Sequence, residues 1–470
     1  MARPASGKTR ENARLTRAEQ AERGRALRAA VPRTSHADFE AGFRRSDPLA
    51  QLESEDEARV GELVPIRYGR MAVSPFTYFR GAALPMASDL AGTVDSGLTV
   101  QSCGDAHLAN FGMYGSSERN LVLDINDFDE TLPGPWEWDV KRLATSMEVV
   151  GRNNDYPSRV RRRIVVATVA EYRRAMREFA AWTTLDAWQA PANVAPMRDR
   201  FAPMLDLAER KRHGLAEPHS PDHLGALGRF AGLRNGEPKI IAETPLVVPV
   251  DELAEPDADE VAAGVHGLLR AYRRSLEPER RMLFDQYRFV DLARTVVGVG
   301  GVGTRSWLVL MVGHDEQDLL FMQAKEAGPS VLETFTKPSE FDNAGRRVVV
   351  GQRLMQAVGD IFLGWVRGSD DGHRRDFYVR QLRDRRGPAA IETMAPTTMQ
   401  AYGELCGRTL ARAHARSGDR VAIAAYLGSG DAFDLAVREF TVAYADQNER
   451  DHATLVEAIK RGRIQAQYGV

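Results

Sequence analysis

Large apolar side chains are sparse over the first sixty residues, where Arg, Ala and Glu dominate. Such a stretch has little to bury and reads as a mobile tail followed by an exposed helix. From "VPIRYGRMAVSPFTYFRGAALPMASDLA" onward apolar and aromatic residues crowd together, which marks the start of a compact domain. Residues 136 to 182 repeat apolar positions at spacings of three and four among helix-forming Arg, Ala and Glu, so they are predicted to be helical. Between 183 and 260 Pro, Gly and charged residues break that pattern, predicting loops with short helices and strands. The period changes near 295, where "SWLVLMV" and "LLFMQAK" flank the polar turn "GHDEQD" in a β-hairpin pattern. A helical run at 345 to 358, two strand-like pieces "DIFLGWV" and "DFYVRQL", and helices from about 396 follow. These elements predict an α+β protein in four parts. Residues 1–60 are an extension and 61–290 a larger helical unit; 291–390 form a small antiparallel-sheet unit, and 391–470 are helices returning to the larger unit.

Composition narrows the function classes. The 470 residues are 43% hydrophobic and 27% charged, with a net charge of -2, as in an ordinary globular enzyme. That balance offers no general attraction to nucleic acid or acidic membranes. Local basic runs such as Arg161-Arg162-Arg163 read as solvated helix faces. Cys103 and Cys406 are far apart, which points to neither a disulfide framework nor a cysteine zinc site. No run of about eighteen apolar residues occurs and no apolar segment follows the charged N-terminal stretch, so a cytoplasmic protein without membrane or nucleic-acid partners is expected.

Candidate chemistry concentrates in residues 104 to 130, "GDAHLANFGMYGSSERNLVLDINDFDE", which bring Asp105, Asp124, Asp127 and Asp129 together with His107 and Asn110 around one apolar run. Clustered carboxylates repel one another and call for a cation, a proton or a positive partner. Phosphoryl transfer needs a carboxylate that receives or orients the acceptor hydroxyl, then a carboxamide and a second carboxylate that hold magnesium on nucleotide phosphates. Asp105, Asn110 and Asp127 supply those groups in that order, with Asp129 as a further metal candidate; Asp124 and Asp129 otherwise read as caps. The competing readings are a set of turn-forming Asx residues and a metal-dependent phosphoesterase, a class that needs more spaced ligands than the ten singly scattered histidines provide.

"GDAHLAN" resembles the catalytic loop of aminoglycoside phosphotransferases and choline kinases, and its Asp-to-Asn spacing also matches the protein-kinase loop. "DFDETLPGPWEWDVKRLA" resembles the phosphotransferase run in which the metal-binding Asp is followed, twelve residues on, by an Asp opening a helix. The resemblance implies that Asp105 is the catalytic carboxylate and that Asp127 binds metal. It also implies that Asp139 ties the loop to its helix and that His107 lies where it would neutralise the transferred group, the alternative being a packed loop histidine. Cys103 departs from the pattern by standing where the family has a bracing His.

A kinase-like chain also needs a phosphate-covering glycine loop and a strand lysine. Gly298, Gly300, Gly301 and Gly303 write "GVGGVG", and because a strand rather than a helix follows, a dinucleotide-binding fold is disfavoured. Lys325, one of seven lysines, ends the returning strand of the hairpin. Glu333 is the nearest acid to pair with it, although "SVLE" is also a capping box headed by Ser330. The helical run 345–358 would be the small unit's helix. Gln381, Leu382 and Arg383 would be the hinge whose backbone holds adenine, and "YGELCGRTLARAHARSG" resembles the helix that runs into a phosphotransferase catalytic loop. Since that loop lies some three hundred residues earlier, the resemblance implies a circularly permuted, bilobal protein-kinase-like fold. Arg80, in "FTYFRGA", is a further candidate for a phosphate or structural contact.

The "GDAH", "NDFDE" and "KEA" blocks also resemble an uncharacterised bacterial family, domain of unknown function 2252, over roughly residues 60 to 465. Together these resemblances imply an ATP- and magnesium-dependent phosphotransferase acting on a small-molecule or protein hydroxyl. The alternatives are a catalytically idle, pseudokinase-like nucleotide-binding module, a nucleotidyltransferase on the same fold, or the phosphoesterase above.

Overall fold

The computed structural model describes residues 15–40, 42, 45–115, 121–190, 230–234, 236–253, 258–296, 298–370, 373–382 and 391–470. In chain order its helices are α1 (Arg17–Ala30), α2 (Pro48–Asp56), α3 (Val64–Met71), α4 (Pro75–Gly81), α5 (Ala83–Leu90), α6 (Trp136–Asn153), α7 (Ser158–Ala181), α8 (Thr184–Trp188), α9 (Ala258–Arg273), α10 (Pro278–Phe284), α11 (Ala344–Met355), α12 (Pro396–Ser417), α13 (Arg420–Leu427) and α14 (Ala432–Lys460). The strands are β1 (Thr99–Ser102), β2 (Phe111–Gly115), β3 (Leu121–Ile125), β4 (Leu132–Pro135), β5 (Ala231–Arg234), β6 (Glu237–Ile240), β7 (Val247–Pro249), β8 (Arg288–Thr295), β9 (Ser306–Val312), β10 (Leu319–Ala327), β11 (Gly364–Asp370) and β12 (His373–Gln381).

The periodic stretch 136–182 forms two helices because Pro157 disfavours helical backbone at Tyr156, and the chain turns through Asp155 at φ 54°. The resulting α6–α7 hairpin packs against α12 and α14, with Trp136 stacked on Tyr172 (ring centroids 5.7 Å apart) in the main apolar core. α1 is largely exposed, yet the described residues from 15 to 60 dock on the helical core. Gly24 of α1 lies so close to α13 that a Cβ would come within 2.1 Å of the Ala422 carbonyl oxygen, and Arg45 is gripped by Asp89 (2.8 Å) and Asp451 (2.6 Å). Residues 1–14, the expected tail, lie outside the described residues, as do 191–229 and parts of 230–260 within the predicted loop region.

β1–β4 form two antiparallel pairs, β1 with β4 and β2 with β3, which frame the loops at 103–110 and 126–131. The larger sheet is six-stranded and antiparallel throughout, in the order β11-β12-β10-β9-β8-β7. β9 reads as a continuous apolar run because both its faces are covered. Leu308 and Leu310 join Ala293 and Phe321, while Val309 and Met311 join Tyr272 of α9, Phe284 of α10 and Leu276 between them. Tyr272, Leu276 and Phe284, which fall in the larger helical unit expected from the sequence, thus pack on the sheet. α11 packs across β10, β11 and β12, where a Cβ on Gly345 would meet the Phe377 carbonyl oxygen at 2.2 Å.

One buried acid in the helical core has a measurable consequence. Glu137 on α6 accepts a hydrogen bond from the Ser96 amide (2.8 Å), but among the described residues its Oε2 has no hydrogen-bond partner. Burial pushes its carboxyl up to about 7. Because the folded value lies above the unfolded 4.5, the stability linked to this proton is complete below pH 4.5 and is lost as pH rises through about 7. The expected loss is on the order of 3 kcal/mol. Urea unfolding at pH 5 and pH 8 should show that drop in the native chain and a clearly smaller one in Glu137→Gln.

Candidate functional site

The loop that carries Asp105 is anchored from both sides. The Asp139 carboxylate, at the start of α6, accepts from the amides of Cys103 (2.6 Å) and Gly104 (3.0 Å) and contacts His414 Nε2 of α12 (3.1 Å); His414 Nδ1 is in turn 2.9 Å from the Tyr172 hydroxyl. His414 thus braces the loop from α12, through Asp139. Gly104 sits at φ 82°, where a Cβ would lie 2.4 Å from the Glu130 carbonyl oxygen, so glycine is required on both counts. Further on, Ser146 receives the Leu108 amide (3.0 Å), and the Tyr402 hydroxyl donates to the carbonyls of Leu108 and Phe111.

Held this way, Asp105 accepts from Arg142 Nε at 2.5 Å, while Asn110 Nδ2 donates to the Asp105 carbonyl (2.8 Å). Among the described residues the Asn110 side-chain oxygen accepts no hydrogen bond, which leaves it open to a cation. His107 Nε2 lies 3.6 Å from the Asp105 carboxylate, and burial draws its imidazole down to about 4 against a weaker upward pull from Asp105. His107 is therefore uncharged at neutral pH and buried, which fits the packed loop histidine; a neutral ring donates or accepts a hydrogen bond. Burial, reinforced by Asp139, pushes the Cys103 thiol well up, so it is no nucleophile.

Asp124 is structural: buried completely, it pairs with Arg412 (2.5 Å) and accepts from the Ala357 amide (3.0 Å). Asp127 receives the Asp129 amide through Oδ1 (3.1 Å). Asp129 meets the sheet, with Lys325 on one carboxylate oxygen and the Tyr378 hydroxyl on the other (2.7 Å). Lys325 and Tyr378 are register partners on β10 and β12, and Gln323 and Arg380 sit next along the same face. The Gln323 side-chain Oε1 accepts from Arg380 (2.9 and 3.0 Å), and Arg380 reaches the Asn126 carbonyl oxygen (3.1 Å). Burial would lower the Lys325 ammonium, but the charges of Asp129, Tyr378 and Asp127 outweigh it and raise it above its ordinary value. Lys325 is thus a fixed cation.

Two expectations change here. Both Asp129 oxygens are engaged, by Lys325 and the Tyr378 hydroxyl, so Asp129, a metal candidate from the sequence, is here the partner of the strand lysine. Glu333 does not pair with Lys325: its carboxylate accepts from the backbone amides of Ser330 (3.0 Å) and Ser339 (3.3 Å), the capping alternative. The small unit's helix, α11, has no acid to offer; its Arg347 donates to the carbonyls of Asp129 (2.8 Å), Thr131 (2.7 Å) and Gly328 (2.8 Å). Tyr378, Arg380, Arg142 and Arg347 were not singled out from the sequence. The one available signal was the alternation of polar Tyr378 and Arg380 with apolar Phe377 and Val379 on a strand.

The glycine loop joins β8 to β9. Its carbonyls are taken by protein donors: Gly298 by Arg70, Gly300 by Arg59 (2.8 Å), Gly301 by the Thr304 hydroxyl (2.8 Å) and Gly303 by the Val60 amide (2.8 Å). Among the described residues none of the four glycine amides donates a hydrogen bond, a polarity suited to an anion. The predicted hinge is less open, since the Gln381 amide donates to Asp360 (2.7 Å) and the Leu382 amide to the Phe321 carbonyl (2.8 Å); Arg383 lies outside the described residues.

Among the described residues no group of three or more His, Cys, Asp or Glu side chains is spaced to hold a metal ion. Asn110 and Asp127 fit the other way of holding magnesium, one or two protein ligands completed by water and phosphate oxygens. No helix among the described residues is long and apolar enough to cross a membrane. Comparison with curated proteins and with solved structures gives no match. The family described as "Uncharacterized protein conserved in bacteria (DUF2252)" matches residues 59–458, from Arg59 beside the glycine loop to Ala458 near the end of α14, and the chain belongs to that family.

Proposed function

We propose that the chain is an ATP- and magnesium-dependent phosphotransferase acting on a hydroxyl acceptor, built on a circularly permuted, bilobal, kinase-like plan. The observation that carries this reading is the contact of Lys325 with Asp129, which joins the strand lysine to the "DFD" segment across nearly two hundred residues. In this reading Lys325 and the Gly298–Gly303 amides bind nucleotide phosphates, Asn110 and Asp127 hold magnesium against them, and Asp105 orients the acceptor hydroxyl and takes its proton. Magnesium, when bound, neutralises phosphate charge. Arg142 fixes the direction of the Asp105 carboxylate, and Arg59, Arg70 and Val60 keep the glycine carbonyls turned toward protein donors.

The permuted order is supported by the join it requires. Read from β8 through β12 to α12 and then to β1, the parts follow the sequence expected of a kinase-like protein. α12 ends at Ser417, whose hydroxyl accepts from the Gln101 amide of β1 at 3.2 Å. A second reading, an idle nucleotide-binding module, is favoured by one observation: the Asp105 carboxylate is already ion-paired with Arg142.

Thermal unfolding with and without magnesium-ATP tests the site. Ligand at roughly a hundred times its dissociation constant stabilises by about 2.7 kcal/mol, a rise of several degrees. We expect that rise in the native chain, dependent on magnesium, and its loss in Lys325→Ala and Asp127→Ala. No rise, or one that both substitutions leave intact, rejects the proposal.

A further inference from the structure

Five of the arginines around the site are committed to protein acceptors. Arg59 and Arg70 hold glycine-loop carbonyls, Arg142 holds Asp105, Arg347 holds the carbonyls of the 129–131 turn, and Arg380 holds Gln323 and Asn126. Arg80, in the last turn of α4, differs. It makes no ion pair or side-chain hydrogen bond among the described residues, its Nε is buried without a partner, and its guanidinium lies 5.9 Å from the Phe76 ring centre. A largely buried cation with no acceptor is costly, and such groups persist where a ligand supplies the counter-charge.

The position of Arg80 indicates which ligand. Its own carbonyl oxygen packs against the tip of the glycine loop, 3.1 Å from where a Gly300 Cβ would stand. One residue earlier the Phe79 carbonyl accepts from Arg142, the arginine that holds Asp105, at 3.0 Å. The acids whose charges reach Arg80 are Glu392, which is exposed, and Asp105, and the charge of Arg80 is felt at His107. Arg80 therefore lies between the loop proposed to cover the nucleotide phosphates and the carboxylate proposed to receive the acceptor.

We infer that Arg80 is a catalytic residue that binds the terminal phosphate of ATP and stabilises it during transfer. This rests on the phosphotransferase reading above. In the step it serves, the acceptor oxygen forms a bond to the terminal phosphorus while the bond from that phosphorus to the bridging oxygen of ADP breaks. The acceptor proton passes to Asp105, and the electron pair of the broken bond stays on ADP. Arg80 offsets the charge on the phosphoryl oxygens that are neither attacking nor leaving.

The test is calorimetric titration of magnesium-ATP and magnesium-ADP into the full chain and into Arg80→Met, Arg80→Lys and Lys325→Ala. A contact made only with the terminal phosphate should be visible only with ATP. Arg80→Met is expected to weaken ATP by about 10- to 100-fold and to leave ADP within about twofold; Arg80→Lys, which keeps the charge without the planar fork, should retain part of the preference. Lys325→Ala should weaken both nucleotides. If Arg80→Met keeps the native ATP-to-ADP ratio, or weakens both nucleotides alike, Arg80 is structural and the inference fails while the nucleotide site stands. If the native chain binds neither nucleotide, the phosphotransferase reading falls and this inference with it. Arg80→Lys decides the same ratio should Arg80→Met not fold.

Discussion

Asp105→Asn is expected to lower ATP-dependent phosphoryl transfer by about two to four orders of magnitude, the usual worth of a positioned general base. Asparagine keeps the shape and can still accept from Arg142 but cannot take a proton, so magnesium-ATP should stabilise the variant as it does the native chain. ATP consumption across a panel of alcohol, sugar and protein hydroxyl acceptors measures the rate, and the thermal midpoint checks the fold. A variant that turns over at the native rate would remove Asp105 from the chemistry. Arg142→Met gives a contrast: Arg142 acts through Asp105, so kcat should fall with little change in the KM for ATP. Loss of ATP affinity instead would mean that Arg142 shapes the nucleotide site.

The largest effect on stability is expected at the link between the sheet and the aspartate loop. Asp129→Ala leaves the buried Lys325 ammonium without its nearest carboxylate, and breaking such a pair costs about 3 kcal/mol, the low end being appropriate because Asp127 still faces the ammonium. Lys325→Met should cost less, since Asp129 is 26% exposed and keeps the Tyr378 hydroxyl. The double variant should then be more stable than Asp129→Ala alone. Urea midpoints for the three chains measure this; a native-like midpoint in Asp129→Ala would show that the contact carries no stability.

The elements were legible where one physical rule dominated. β9 and β10 are visible because apolar side chains cover both faces of a strand pair, and α6 and α7 because core contacts recur once per turn. The role of Asp139 as the tie between loop and helix was implied by the resemblance of its segment to the phosphotransferase run, not by any local rule. What was not legible depends on register and on approaches between remote segments. That Lys325 meets Asp129 rather than Glu333 follows from how β10 and β12 align and from Arg347 holding the 129–131 turn against α11, and neither is encoded in local spacing. The uncharged state of His107 arises from burial, which a motif cannot display. How the described residues from 15 to 60 dock was not legible because their anchors are few and far apart: Leu49 and Leu52 cluster with Tyr68 and Met71, Leu27 and Phe39 pack on the main core, and Gly24 acts through close backbone approach to Ala422.

The partners of Asp124 and Asp139, Arg412 and His414, also bear on how the protein is made. Each carboxylate is synthesised some 275 to 288 residues before its partner, which at ribosomal rates of about 5 to 20 residues per second is a wait of roughly 15 to 60 s. Until α12 emerges, the apolar faces of α6 and α7 that pack on it, and the side of the Asp105 loop that Tyr402 closes, stay uncovered. The nascent chain must therefore carry exposed core surface through most of its translation, and we expect its yield to depend on chaperone capacity and growth temperature far more than the finished protein's stability would imply.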